Sequence, residues 1–257
     1  MMEKKGIILL FVLIGMAFAG YAQNRNHTYN TIGWYNVFAN VSVHERWSLH
    51  GEYQWRRNNI ITDWQQGVFK TGIQYNPLKG VAFRFAYAWI ETYPYGEIPI
   101  NAMGKDFTEH RLYEVMQLTN TVARFEISHR FMLEQRWVYR YTEPTLEKED
   151  TSSYVNRMRY MFKVQLPLKD RAVVEKIPYI AVYDELFIGF GEQVQYNIFD
   201  QNRVGLVFGY RFNPQFRLEA GVMQQTVQYG RLIDDKITLQ HNTGLILNAV
   251  FNASVHK

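Results

Sequence analysis

Apolar and polar side chains alternate on a two-residue period along almost the whole chain beyond its first two dozen residues. In residues 47–57, Trp47, Leu49, Gly51, Tyr53 and Trp55 fall on one side, and Ser48, His50, Glu52, Gln54 and Arg56 on the other. Successive side chains of a strand point to opposite faces, so this reads as a two-faced strand. Residues 81–89 set Val81, Phe83, Phe85, Tyr87 and Trp89 against Ala82, Arg84, Ala86 and Ala88. Residues 154–166 and 203–212 repeat the pattern. Strands are predicted near 31–43, 47–57, 64–76, 81–93, 107–119, 123–139, 153–166, 177–188, 202–212, 215–227 and 238–252. No segment has a convincing helical period and no linker interrupts the series, which predicts one all-β domain.

The segments run about 11–14 residues, longer than the roughly 5–6 of soluble strands and enough for the roughly 9–11 of a tilted membrane strand. Trp47 and Trp55 share a face eight residues apart, or about 27 Å along a strand. A tilt of about 40° makes that roughly 21 Å of depth, close to the apolar band of a membrane barrel. An Arg or Lys facing lipid at mid-bilayer costs about 2–4 kcal/mol. The basic residues are therefore expected to face a lumen, with the aromatic and aliphatic set facing lipid. The expected fold is a closed antiparallel up-and-down transmembrane β-barrel. The alternative is a soluble barrel with the aromatics inside.

Connections alternate in length, as expected for short periplasmic turns and longer outer loops. Short ones fall near 44–46, 76–80, 120–122 and 213–215, and longer ones at 94–106, 143–152, 189–201 and 228–236. The segment 167–176 is long where a short turn is due. Eleven segments conflict with the even count of single-chain bacterial barrels. Twelve strands are expected, ten being acceptable, with residues 23–30 forming a further short strand or threading the lumen.

The chain opens with Glu3, Lys4 and Lys5, then an apolar run from Gly6 to Ala19. That run is short of the roughly 20 residues a spanning helix needs. With small residues before the join it reads as a secretory signal peptide, 1–22, cleaved after Ala22 or alternatively after Ala19. The mature barrel is then 23–257 and its location the cell outer membrane of a Gram-negative bacterium. The 257 residues include no Cys, which excludes disulfides, thiolate metal sites and a lipidated cysteine. A formal charge of +4 is too balanced to imply nucleic acid. Aromatics at 16% suit a barrel with two interfacial girdles.

Three stretches carry a family resemblance: His129 to Trp137 (HRFMLEQRW), the Tyr-x-Glu-x-Phe of Tyr183, Glu185 and Phe187, and Phe199 to Arg203 (FDQNR). They resemble the uncharacterised outer-membrane proteins grouped as domain of unknown function 2490. The resemblance implies a barrel of unknown activity and supplies no catalytic residue or ligand.

The most informative constellation is the charged inward face. Glu52, Arg84, Arg130, Glu134, Arg136, Arg157, Arg159, Glu185, Arg203, Arg211 and Glu219 are expected to line the lumen as paired charges, with Glu126 on the face of Arg130. Such pairs either fill the interior or form a charged constriction selecting a small solute. Ser48, His50 and Glu52 share a face at the spacing of a hydrolytic triad, as any alternating polar face can. Glu109, His110 and Arg111 are consecutive, so they split between faces. The acidic pairs Glu149-Asp150 and Asp234-Asp235 fall in outer loops, where cations could bridge them to lipopolysaccharide. No catalytic set, metal or cofactor is assigned. The expected function is a narrow or occluded porin-like conduit or a structural barrel, and not an enzyme. The alternatives are an outer-membrane lipid or lipopolysaccharide hydrolase and an assembly or binding component. Expected partners are outer-membrane lipid, lipopolysaccharide and the barrel assembly machinery.

Overall fold

A computed structural model describes residues 25–169 and 172–255; the expected leader, 1–22, lies outside the described residues. The described residues form β1 (Asn26–Ser42), β2 (Trp47–Asn58), β3 (Asp63–Leu78), β4 (Val81–Thr92), β5 (Phe107–Val122), β6 (Phe125–Arg140), β7 (Thr151–Pro167), β8 (Ile177–Phe190), β9 (Phe199–Arg211), β10 (Phe216–Gln228) and β11 (Thr238–Ser254). Each strand pairs with the next in an antiparallel meander, and β11 returns to β1 to close a barrel. Every one of the eleven segments drawn from the alternation is a strand.

The expectation of twelve strands is corrected to eleven. Residues 26–30 do not form an extra strand; they lengthen β1. In a meander of eleven, first and last strands run the same way, so β1 and β11 must pair in parallel. Asn30, Asn36 and Asn40 stand opposite Asn242, Asn248 and Asn252. Side-chain amides join these pairs at 3.1, 2.8 and 3.1 Å. Identical amides facing each other in register on parallel strands bond across the seam, as in amide ladders, while Asn36 Oδ1 has no partner among the described residues. The chain carries the required spacing twice, Asn-Thr-x4-Asn-x3-Asn at 30–40 and at 242–252.

The two faces fall as the alternation predicts. Phe83, Phe85, Trp89, Leu206 and Phe208 are exposed on the outer wall, while Arg157, Arg159 and Arg203 are buried inside. One expectation fails here: the aromatic set is not wholly outward. Trp34, Tyr113, Tyr179 and Phe187 are buried inside the barrel. Glycine makes room for part of this set. A Cβ on Gly205 would lie 2.4 Å from the Tyr183 ring, and one on Gly209 2.2 Å from that of Tyr179. Each tyrosine therefore lies flat over the glycine opposite it on β9. Two apolar clusters line opposite walls. Val68, Ala86, Ala88, Ile90, Tyr113, Val115 and Met132 hold the β3–β6 side. Ile32, Trp34, Ala181, Val207, Met223 and Ile246 hold the β1 and β8–β11 side.

The connections at one end are 43–46, 79–80, 123–124, 168–176 and 212–215; at the other they are 59–62, 93–106, 141–150, 191–198 and 229–237. The anomalous 168–176 segment is held at its base, where Lys176 N–H donates to the Arg211 carbonyl at 2.6 Å and Arg211 Nη1 to the Val173 carbonyl at 3.2 Å.

Candidate functional site

The interior between the two apolar clusters is occupied by charge. Glu134 on β6 accepts from Arg157 Nε at 2.6 Å and Arg159 Nη1 at 2.8 Å, both on β7, and Arg111 on β5 approaches to 3.6 Å. Arg159 also reaches Glu185 on β8 at 2.7 Å, a carboxylate shared with Arg130 at 2.7 Å and Arg203 at 3.9 Å. Arg136 pairs with Glu109 at 2.5 Å and lies 3.8 Å from Asp200. Arg157 joins Asp200 at 2.5 Å. Buried charges persist only when paired and hydrogen-bonded, and here each carboxylate serves two or more guanidinium groups.

A stack of cations and rings crosses the interior alongside these pairs. Arg56 on β2 lies 3.8 Å from the Trp34 ring centroid on β1. Arg203 on β9 lies between Trp34, at 4.7 Å, and Phe187 on β8, at 4.5 Å. Arg159 on β7 covers Phe187 at 4.3 Å. β2 and β7 are five strands apart in a ring of eleven, so the stack spans the barrel. A desolvated cation over an aromatic face gains about 2 kcal/mol. Trp34 is fixed from its edge, where Nε1 donates to Gln65 at 2.7 Å.

Two irregularities in the ladder place residues that simple alternation misses. The β8–β9 register passes from Phe187↔Gln201 to Ile188↔Phe199, which leaves Asp200 as an extra residue. Asp200 and Gln201 are both buried as a result. The β2–β3 register skips Gln65 in the same way. A bulge re-aims one side chain, and each of these turns a polar group inward.

Of the eleven residues expected to line the interior, Arg130, Glu134, Arg136, Arg157, Arg159, Glu185 and Arg203 come together in one network. Glu52 stands apart with Lys70, at 2.8 Å, and His50, at 3.4 Å. Glu219 accepts from Tyr179 at 2.7 Å and Asn248 at 2.9 Å, with Lys163 at 3.6 Å. Arg84 bonds to Gln74, its one hydrogen-bond partner among the described residues. Arg211 does not join the network; it serves the 168–176 connection at the strand end. Sequence reasoning missed Glu109, Arg111 and Asp200. Glu109 and Arg111 do share a face, with His110 between them pointing outward to Tyr87, so the two-residue period could have found them. Ser48, His50 and Glu52 do not join as a triad: His50 contacts Glu52 and Asn40, and among the described residues no hydrogen bond joins Ser48 to His50. Glu149 and Asp150 tie loop structure, accepting from Thr108 N–H and Thr142.

A cavity of about 1210 Å³ lies beside the network, lined from Ser42 and Asn76 near one end to Met103 and Arg231 near the other. The 93–106 connection straps the second mouth. It leaves β4 and reaches the β10–β11 wall, where Tyr95 donates to Gln240 at 2.9 Å. Tyr229 donates to the Ile98 carbonyl at 2.6 Å, and Arg231 to those of Pro99 and Ile100. Burial raises the Tyr95 and Tyr229 hydroxyls above their ordinary range, which keeps both protonated as donors. Gly96, at φ +77°, lets the strap lie against Asn30 and Gln240, where a Cβ would come within 2.9 Å of both.

Fold and site together define an all-β closed barrel with an ion-paired interior. The chain belongs to the family described as Protein of unknown function (DUF2490), whose profile matches residues 31–232. That span contains every residue of the network. The comparison with curated proteins gives no match.

Proposed function

We propose that this protein is an integral outer-membrane β-barrel whose ion-paired interior narrows the lumen to a small conduit or closes it. The observation that carries this reading is the partition of the wall. Charges and amides are turned inward on strands of 12 to 17 residues, while Phe85 and Phe208, at 56% and 52% exposure, belong to an apolar outer belt. Soluble monomers rarely expose contiguous apolar patches beyond a few hundred Å², and a belt around a closed barrel is what lipid requires. The same reading makes residues 1–22 a cleaved export signal. It makes lipid and lipopolysaccharide the surroundings, and insertion the task of the barrel assembly machinery. The short-connection end then faces the periplasm and the strapped end the outside. The cation–ring stack supports a narrow conduit, because it spans the interior from β2 to β7.

Cell fractionation tests the reading, with gel mobility compared before and after boiling. A closed barrel satisfies its backbone internally and resists detergent until heated. The expected result is sedimentation with outer membranes and a band that shifts on boiling. Recovery in the soluble periplasm would overturn it.

A further inference from the structure

The interior holds more positive charge than its own carboxylates neutralise. Thirteen Lys and Arg residues line the cavity against seven Asp and Glu. Glu134, buried in the adjoining network, reduces the excess to five. Toward the end with the short connections, two of these cations lack a carboxylate of their own. Arg84, on β4, donates only to the Gln74 side chain, at 2.6 and 3.2 Å, and forms no ion pair among the described residues. Among the described residues, Arg130, on β6, shares its one carboxylate, Glu185, with two other arginines, and its Nε is buried without a partner. β5 alone separates the two: Arg84 stands opposite Val115, and Arg130 opposite Gln117, two residues along. Both side chains therefore leave the same wall into the same cavity. Arg217, near the start of β10, adds another buried Nε with no partner among the described residues.

Arg84 and Arg130 are half-buried; a guanidinium drawn partly out of water without a carboxylate of its own is disfavoured, and its planar fork matches the two oxygens of a carboxylate or phosphate. We propose that Arg84 and Arg130 form a binding site for a small oxyanion solute, a carboxylate or phosphate group, with Arg217 adding to the positive field. This deepens the conduit reading by naming the solute class, and rests on it for how the solute arrives. Arg84 carries the binding, because among the described residues no carboxylate lies within ion-pair distance of its guanidinium.

The experiment is calorimetric titration of the full chain, folded in detergent micelles, with inorganic phosphate and separately with succinate at constant ionic strength. Saturable binding of either is expected, weakened about tenfold in Arg84→Gln, the value of one charge-assisted hydrogen bond. Arg46→Gln, in the exposed 43–46 turn, should bind as the parent does. Arg217→Gln gives a second variant should Arg84→Gln fail to show the heat-shifted band of a folded barrel. Absence of binding for both anions, or equal binding by the parent and the folded variants, overturns the proposal. A chain that fractionates with outer membranes yet binds neither anion sinks the site alone. A soluble periplasmic chain that binds phosphate sinks the membrane reading alone.

Discussion

Glu134 is the residue on which most of the interior converges. Its carboxylate meets Arg157, Arg159 and Arg111, so its removal takes from each of three inward cations one of its two carboxylates, leaving Asp200, Glu185 and Glu109 to serve them. Glu134→Ala should cost about 3–5 kcal/mol, whereas Gln135→Ala, one residue along and facing outward, should stay within about 0.5 kcal/mol. Urea unfolding of both variants in lipid vesicles measures the difference, and equal costs would mean that the network contributes nothing to stability. That Glu134 faces inward was legible in the sequence, since Arg130, Glu134 and Arg136 share a parity. Its partners were less so. Arg157 and Arg159 were on the expected face, but nothing local shows which carboxylate each one meets. Asp200 was hidden altogether, because a bulge reverses its parity.

At the level of the strand, the parallel β1–β11 seam is the feature that needs most explanation. Parallel pairing is slightly weaker per residue than antiparallel, and this seam adds side-chain amide pairs to its backbone ladder. Asn36 donates to Asn248, which donates on to Glu219 at 2.9 Å. A double-mutant cycle of Asn36→Ala and Asn248→Ala should show a coupling energy of about 0.5–1.5 kcal/mol. A cycle of Thr31→Ala and Thr243→Ala, an outward pair directly opposite on the same strands, should show almost none. If the two cycles agree, the amides do not specify the seam. The signal for this seam was in the chain as a repeated asparagine spacing. It was passed over because each copy alone reads as one more strand with a polar face.

For the whole molecule, the testable quantity under the proposed membrane reading is which wall would meet lipid. Single Cys variants are unambiguous, since the chain has no Cys. Under the outer-membrane reading, spin labels at Leu206 and Phe208 should be relaxed by lipid-soluble agents, and labels at Arg203 and Val207 should not. The opposite outcome would place the wall one residue out of register, which flips every side chain. The barrel as an object also explains the odd strand count that the segments alone made awkward. Parity constrains only antiparallel closure, and here the ends close in parallel.

The sequence by itself determined eleven strand segments, their approximate limits and the two alternating faces of each, but not that the barrel holds eleven strands rather than twelve. Segments, limits and faces follow from a two-residue period that any extended chain obeys, whatever its neighbours. Only the tertiary structure decided how the barrel closes, where bulges turn Asp200 and Gln65 inward, and that the 93–106 strap crosses one mouth. It also decided that Trp34 and Phe187 stand inside among arginines, and which carboxylate serves which cation. These depend on register and on contacts across the barrel between strands far apart in the chain, and no local period encodes such distances.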